Sequence, residues 1–209
     1  MEQKRPHPLR VAINGIDGAG KTMFADELAE ILQGAGCSPI RASGDNFANP
    51  RSVRYQRGRD SPEGYYFDSF DNQALIRELL MPLGPGGDRR YRTASREHAT
   101  DQPIDGPVAI SPEDAIVLVD GIFLLRPELN SYWDFKIFLR AEFGEALTRA
   151  VVRDQGRFGF SRDEIEYRYR HRYLPGQRIY LDAVHPEDLA DVVIENSDIH
   201  SPRFLKGVG

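Results

Sequence analysis

Residues 15–22 read Gly-Ile-Asp-Gly-Ala-Gly-Lys-Thr, a complete match to the phosphate-binding loop pattern G-x-x-x-x-G-K-[ST]. The preceding stretch, 9–14, has the apolar character of a buried strand, and the following stretch has apolar residues at helical spacing from Phe24 to Ala35. The pattern carries its chemistry only where it joins a strand to a helix, and that context is present here. The loop therefore predicts nucleotide binding at a strand-to-helix turn.

The residue types of this loop match the chemistry of a triphosphate. Gly15, Gly18 and Gly20 permit tight turns that point main-chain N–H groups inward, and a helix beginning near Lys21 adds unpaired N–H groups. The Lys21 ammonium can reach the β- and γ-phosphates, and the Thr22 hydroxyl can bind Mg²⁺. The predicted nucleotide-binding residues are Gly15, Asp17, Gly18, Ala19, Gly20, Lys21 and Thr22. Asp17 occupies a variable position of the pattern and is interpreted as a residue that shapes the loop.

Bulk properties restrict the class of protein. A length of 209 residues predicts one domain, 1–209, and a net charge of −5 does not suggest a nonspecific nucleic-acid binder. The single cysteine, Cys37, cannot form an intrachain disulfide and fits a reducing cytoplasm. The polar start of the chain does not resemble a signal peptide, and no apolar run reaches transmembrane length. We therefore expect a cytoplasmic protein with no membrane or nucleic-acid partner.

Apolar runs alternate with helical patterns along the chain. Strands are predicted at 38–43, 115–120, 135–139 and 189–194, and helices at 72–83, 143–154 and 162–181. This alternation predicts a three-layer α/β P-loop fold, with a mainly parallel central sheet and helices on both faces. Three excursions from the sheet are expected: residues 48–66, which are rich in Arg, Pro, Gly and Tyr, a small flap at about 86–112 and a lid at about 149–178. In such sheets the site lies at the carboxyl ends of the strands.

Carboxylates follow two of the predicted strands at this edge. Asp45 could accept the proton of a substrate hydroxyl and orient it for attack, or it could simply form a turn in the sequence Gly-Asp-Asn. Asp120 ends the most apolar strand, where a Walker-B carboxylate would hold Mg²⁺; a strand-end cap is the alternative. Thr22 and Asp120 are thus the predicted metal residues. Asp71 is a candidate substrate contact, or equally the N-cap of the next helix.

Arginines are concentrated in the predicted lid. Arg149, Arg153 and Arg157 are spaced i, i+4 and i+8, so a helix would place them on one face. Such a face can be merely solvated, because acidic residues nearby can pair with it. In a P-loop fold it also fits a lid whose arginines stabilise the transferred phosphoryl group and exclude water. Arg149 and Arg153 are the leading candidates for that catalytic role, together with Lys21.

In order and spacing these segments resemble the uridine kinase and phosphoribulokinase-like group of P-loop kinases, from about residue 11 to 196. Besides the loop, the similar segments are Asp45-Asn46-Phe47, Ser69-Phe70-Asp71, Val119-Asp120-Gly121-Ile122-Phe123, Asp134-Phe135-Lys136-Ile137-Phe138, Arg149 to Asp154 and Ala190-Asp191-Val192-Val193. The resemblance implies ATP as phosphoryl donor, Mg²⁺ as metal, Asp45 as catalytic base and a small-molecule hydroxyl compound as acceptor. It also implies that a homo-oligomer is plausible.

The flap departs from the family pattern. Uridine kinases have a Tyr-Asp segment followed by His and Arg there, whereas residues 90–98 of this chain read Arg-Tyr-Arg-Thr-Ala-Ser-Arg-Glu-His. Tyr91, Arg96 and His98 are the candidate counterparts and, with Asp71, the predicted substrate residues. The arginines and the histidine would also suit a more anionic substrate. Asp120 stands where uridine kinases usually have Glu, which is a conservative change.

The leading hypothesis is an ATP-dependent small-molecule kinase that acts on a nucleoside or a related sugar-like or polar alcohol. One alternative is a regulatory NTPase, although the chain has no Asn-Lys-x-Asp motif for guanine. The other is a silent nucleotide-binding module, against which the joint presence of Lys21, Thr22, Asp45 and Asp120 argues.

Overall fold

The computed structural model describes residues 6–97, 100–104 and 108–207, except for the side chains of 156–158. The strands are β1 (Leu9–Gly15), β2 (Pro39–Ser43), β3 (Arg90–Tyr91), β4 (Ala109–Ile110), β5 (Ile116–Gly121), β6 (Phe135–Arg140), β7 (Val192–Glu195) and β8 (Arg203–Lys206). The main sheet has the order β2-β5-β1-β6-β7-β8, and β3 pairs with β4 as an antiparallel hairpin in the predicted flap. Neighbouring strands of the main sheet are parallel except for β8, which runs antiparallel to β7.

Helices surround this sheet. They are α1 (Lys21–Gly34), α2 (Arg51–Arg54), α3 (Pro62–Asp68), α4 (Asn72–Leu75), α5 (Pro127–Asn130), α6 (Phe143–Phe158), α7 (Arg162–Arg168), α8 (Leu174–Val184) and α9 (Pro186–Leu189). A π-helical turn, Ile76–Leu80, extends α4, and another, Tyr169–Tyr173, joins α7 to α8. Within the described ranges, no helix has both the length and the apolar character needed to cross a membrane.

The core lies on both faces of the sheet because successive strand residues point in opposite directions. On β1, Ala12 joins a cluster with residues of α3, α4 and α8, such as Tyr65, Leu75 and Tyr180. Its neighbour Ile13 joins the cluster on the other face, which includes residues of α1 and α6. This arrangement is the predicted three-layer α/β fold.

The strand register brings the predicted site residues to one edge. Ile13 of β1 and Ser43 of β2 both pair with Asp120 of β5. The phosphate loop, the turn after β2 and the end of β5 therefore meet at the carboxyl edge of the sheet, as the sequence predicted.

Three features differ from the sequence prediction. The last predicted strand, 189–194, begins too early: Leu189 ends α9, which starts at Pro186 after His185 in a left-handed conformation (φ +47°), and β7 starts only at Val192. Strand β8 was not predicted, because its residues are all exposed and show no alternation of apolar and polar side chains. The segment 48–66 contains α2 and most of α3, although its arginine, proline and glycine content suggested only an excursion.

Candidate active site

The phosphate loop leaves β1 and enters α1. Gly18 and Gly20 have φ angles of +78° and +90°, in the left-handed region that favours glycine. A Cβ at Gly15 would lie 2.5 Å from the carbonyl oxygen of Leu139, so this position also excludes a larger residue. In the described part of the chain, no group accepts a hydrogen bond from the main-chain N–H of Gly18, of Gly20 or of the first two residues of α1. These N–H groups and the helix dipole are available to an anion.

Lys21, the first residue of α1, is buried within the loop. Its Nζ donates a hydrogen bond to the carbonyl oxygen of Ile16 at 2.8 Å. Burial lowers the pKa of the ammonium, and the nearby carboxylates of Asp17, Asp45 and Asp120 oppose that shift. Lys21 is therefore the cation that the negative groups of the site share.

Thr22 and Asp120, the predicted metal residues, are in direct contact. The Thr22 hydroxyl donates to Oδ2 of Asp120 at 2.8 Å, and Nη2 of Arg41 donates to Oδ1 of the same carboxylate at 2.9 Å. Hydroxyl and carboxylate oxygens are the hard ligands that suit Mg²⁺. No group of three or more His, Cys, Asp or Glu among the described residues could hold a metal by itself. A bound Mg²⁺ would thus also need phosphate oxygens or water as ligands.

Asp45 lies in the 3₁₀ turn Gly44–Phe47 that directly follows β2. The residue is exposed towards the open side of the site, but surrounding protein displaces part of the water from its carboxylate. This desolvation raises the pKa of Asp45, the charge of Asp17 raises it further, and Lys21 opposes the shift. A carboxylate with a raised pKa next to the phosphate lysine is well suited to accept a proton.

Arg149 of α6 is directed at main-chain oxygens. Its Nη1 donates to the carbonyl of Gly18 at 3.0 Å, and its Nη2 donates to the carbonyls of Asn196 and Ser197 at 3.2 and 2.6 Å. The guanidinium thus joins the phosphate loop to the segment after β7. The catalytic role predicted for Arg149 stays a prediction, and in this arrangement the side chain supports the loop.

Arg153, one turn further along α6, is arranged differently. Its Nε donates to Asp154 at 2.7 Å and its Nη2 to the Tyr169 hydroxyl at 3.0 Å, while 47% of the side chain is exposed. Burial lowers the pKa of Arg153, but the hydrogen bond to Asp154 and nearby negative charges, including Asp17, raise it by more. Its charge also affects the pKa of both Lys21 and Asp45, so Arg153 lies within electrostatic range of both groups.

The predicted substrate residues do not form one cluster. Asp71 accepts a hydrogen bond from the N–H of Ala74 at 2.9 Å and is the N-cap of α4, which was the stated alternative. Tyr91 is half-buried on β3 and packs against the main core. Arg96 donates to the main-chain oxygen of Asp101. His98 lies outside the described residues, and the substrate roles of all four stay predictions.

An aromatic wall stands beside the phosphate loop and consists of Tyr65, Phe70, Phe123 and Tyr173. The Tyr65 ring lies 5.4 Å from that of Phe123 and 4.8 Å from that of Tyr173, measured between centroids. Phe123, just after β5, has a φ of +60°, which is strained for a bulky residue and is maintained by the packing around it. The Tyr65 hydroxyl donates to Oδ2 of Asp17 at 3.0 Å, so the wall contacts the loop directly.

Two arginines near the site were not singled out from the sequence. In the sequence, Arg41 is only a charged residue within a predicted strand, although its side chain contacts Asp120. Arg172, in the π-helical turn before α8, is buried and stacks over the rings of Tyr55 and Tyr65 at 4.9 and 5.6 Å. Its guanidinium donates to four main-chain oxygens of the segment before α3, those of Arg54, Gly58, Arg59 and Ser61, at 2.9 to 3.3 Å. Only contacts between distant parts of the chain reveal these two roles.

The sheet order and the glycine loop at the start of α1 define a nucleotide-binding protein of the P-loop class. A family model described as "Phosphoribulokinase / Uridine kinase family" matches residues 11–198. The chain therefore belongs to the phosphoribulokinase/uridine kinase family.

Individual relatives agree with this assignment. Uridine-cytidine kinase B of Dictyostelium discoideum is 26% identical over 191 residues, covering 90% of this chain and 74% of the relative. The solved structure of a "Possible Uridine Kinase from Bacillus stearothermophilus" has a TM-score of 0.70 at 24% identity, covering 92% of this chain and 91% of that one. A "putative fructose transport system kinase from Silicibacter sp. TM1040" has a TM-score of 0.72 at 24% identity, with coverages of 88% and 89%. At these identities the two structures establish the fold alone.

Proposed function

We propose that the protein is an ATP-dependent kinase that transfers the γ-phosphoryl group to a hydroxyl of a nucleoside or a related sugar-like alcohol. The observation that carries the proposal is the position of Asp45, in the turn that directly follows β2, at the same carboxyl edge of the sheet as Lys21 of the phosphate loop; the charge of Lys21 also acts on the pKa of Asp45. Asp45 is a proton acceptor with a raised pKa, and Lys21 lies in a loop with free N–H groups. Transfer of a phosphoryl group to a hydroxyl requires a group that accepts the hydroxyl proton close to the groups that bind the phosphates.

In the proposed reaction, the acceptor hydroxyl gives its proton to the Asp45 carboxylate while its oxygen attacks the γ-phosphorus. The new oxygen–phosphorus bond forms as the bond between the γ-phosphorus and the β–γ bridging oxygen breaks, and ADP leaves. Lys21, the loop N–H groups and Arg153 stabilise the negative charge that spreads over the transferred group. Thr22 and Asp120 would hold Mg²⁺, which neutralises phosphate charge when bound.

The test is an ADP-release assay with Mg-ATP across nucleosides, hexoses, pantothenate and sugar phosphates. Lys21→Ala serves as the blank, because the loop without its ammonium should not turn over. Asp45→Asn should slow acceptor-dependent turnover by about 10²–10⁴-fold while the dissociation constant for ATP stays within about twofold. Unchanged turnover in Asp45→Asn would contradict the assignment of the base.

A matched control is Asp114→Asn, the same substitution at an exposed residue before β5, at the opposite edge of the sheet. It should retain wild-type turnover. The assay also separates the proposal from a regulatory NTPase, because steady hydrolysis of GTP that no acceptor accelerates would favour the latter.

A further inference from the structure

Asp17 is a carboxylate inside the phosphate loop that, in the described part of the chain, accepts no hydrogen bond from a loop N–H group. Its own main-chain N–H donates to Oε1 of Gln177 on α8 at 2.7 Å. Gln177 is buried and in turn donates to the main-chain oxygen of Tyr173 at 3.1 Å. The main-chain N–H of Asp17 is thereby bound to α8, while its carboxylate is the largest of the neighbouring charges that act on the pKa of Lys21.

The Asp17 side chain is oriented by the aromatic wall. The Tyr65 hydroxyl donates to Oδ2 of Asp17 at 3.0 Å, and the Tyr65 ring is buried. Burial raises the pKa of Tyr65 well above its ordinary value, and the charge of Asp17 raises it further, so the phenol keeps its proton and remains a donor. α3, which carries Tyr65, packs closely on α8, where a Cβ at Gly176 would lie 2.9 Å from the Tyr65 ring.

The second carboxylate oxygen of Asp17, Oδ1, is available to a ligand. No described side chain forms an ion pair with Asp17, and its Oδ1 has no hydrogen-bond partner in the described part of the chain. Asp17 also has the largest effect of any neighbouring charge on the pKa of Asp45. The side chain that carries this free oxygen is therefore bound to the aromatic wall and lies within electrostatic range of the proposed base.

Other roles for this carboxylate are less consistent with its surroundings. A phosphate ligand is excluded by charge, because two anions in contact repel. Shaping of the loop is already achieved by the main-chain bond to Gln177, which any residue with an N–H could make. An ion pair with Arg153 is not formed, since that guanidinium donates to Asp154 and Tyr169.

We propose that Asp17, held by Tyr65, is a specificity residue that accepts a hydrogen bond from a second hydroxyl of a neutral polyhydroxyl acceptor and disfavours acceptors that already carry a phosphate. The inference rests on the proposed function and deepens it, because it selects one acceptor class. Asp45 takes the proton of the reacting hydroxyl, and Asp17 binds another hydroxyl of the same molecule. A second carboxylate near the reaction centre thus favours hydrogen-bond donors and repels anions.

The test compares wild type, Asp17→Asn and Tyr65→Phe with two matched pairs of acceptors that keep a free primary hydroxyl. These are uridine with uridine 3′-monophosphate, and D-fructose with D-fructose 6-phosphate. Kinetics of ADP release give KM and kcat for each acceptor, and calorimetric titration gives the dissociation constant of Mg-ADP. Thermal unfolding of each variant shows whether the fold is retained.

Wild type should prefer the neutral member of the pair that it uses by at least about 100-fold in kcat/KM. Asp17→Asn should raise KM for the neutral acceptor by about 10–100-fold, narrow that preference and leave Mg-ADP binding within about twofold. Tyr65→Phe, which keeps the ring but loses the hydroxyl, should also raise KM for the neutral acceptor, by about 3–10-fold.

Two results would overturn the inference while leaving the proposed function intact: a wild-type preference for the phosphorylated acceptor, or an Asp17→Asn variant that weakens Mg-ADP binding as much as acceptor binding. The second result would indicate that Asp17 shapes the phosphate loop. If wild type phosphorylates no acceptor of the broader panel, the proposed function itself fails.

Discussion

The contrast between Arg149 and Arg153 yields the sharpest prediction about the lid. Both arginines lie on α6, one turn apart, and both had the same predicted role. Arg149 donates three hydrogen bonds to main-chain oxygens, whereas Arg153 bonds to two side chains and is 47% exposed. Replacing each by methionine removes the charge at similar side-chain length. The two substitutions should therefore give opposite patterns of stability and activity.

The magnitude for Arg149→Met follows from the three carbonyls that lose a charged donor. A hydrogen bond to a charged group contributes about 1.5–3 kcal/mol, and water can replace part of it here because the side chain is only half-buried. We expect a loss of about 3 kcal/mol in the free energy of unfolding, or roughly 6–12 °C in Tm for a domain of this size. The loop at Gly18 also loses its support, so Mg-ADP should bind about tenfold more weakly.

Arg153→Met should behave in the opposite way. The exposed ion pair with Asp154 contributes about 0–1 kcal/mol, so Tm should change by no more than about 4 °C. If Arg153 stabilises the transferred phosphoryl group, kcat should fall about 10³-fold.

The measurements are thermal unfolding by circular dichroism, calorimetric titration of Mg-ADP and kcat from ADP release, on both variants and on Arg149→Lys and Arg153→Lys. Arg149→Lys should recover little stability, because the point charge of an ammonium cannot reproduce the planar fork by which the guanidinium binds three carbonyls. Our interpretation of Arg149 would be refuted if Arg149→Met kept the wild-type Tm and nucleotide affinity while losing kcat.

Three further predictions follow from the site. Gly18→Ala should abolish nucleotide binding, since the residue has a φ of +78° and the added Cβ would overlap the carbonyl oxygen of Ala146; titration of Mg-ADP checks this. The pKa of Asp45 is raised, partly by the charge of Asp17, so kcat/KM for the acceptor should fall as the pH decreases through this raised pKa, and Asp17→Asn should move the fall to lower pH; a pH–rate profile that does not move would contradict the coupling. Arg41→Met should lower stability by about 1–3 kcal/mol because it leaves the buried Asp120 uncompensated, and Mg-ADP should raise Tm more in this variant than in wild type; equal increments of Tm would contradict that role for Arg41.

Much of the fold could be predicted from the sequence because the decisive signals are local. Gly18 and Gly20 permit the left-handed backbone that the phosphate loop needs, and the apolar run before Asp120 is typical of a buried central strand. Strand β8 was missed because four exposed residues carry no pattern, and its pairing with β7 is made only in the folded chain.

The candidate site was less predictable, because its contacts join distant segments. Asp45 and Asp120 were placed correctly at the carboxyl edge, since each directly follows a strand. The contact of Arg41 with Asp120 depends on the register of β2 against β5, which no local pattern encodes. Asp17 was interpreted as a loop-shaping residue because it occupies a variable position of the pattern; its contact with Tyr65, 48 positions away on α3, has no local signal.

The four hydrogen bonds from Arg172 to main-chain oxygens should affect the affinities for both substrates. Arg172 lies in the predicted lid, and those oxygens lie in the segment that leads into Tyr65 and the aromatic wall. A movement of the lid helix must either carry this segment along or break all four hydrogen bonds. Occupation of the nucleotide side should therefore change the affinity for the acceptor, and by linkage the acceptor must change the affinity for the nucleotide by the same factor. The coupling between the two binding sites would then depend on the buried guanidinium of Arg172.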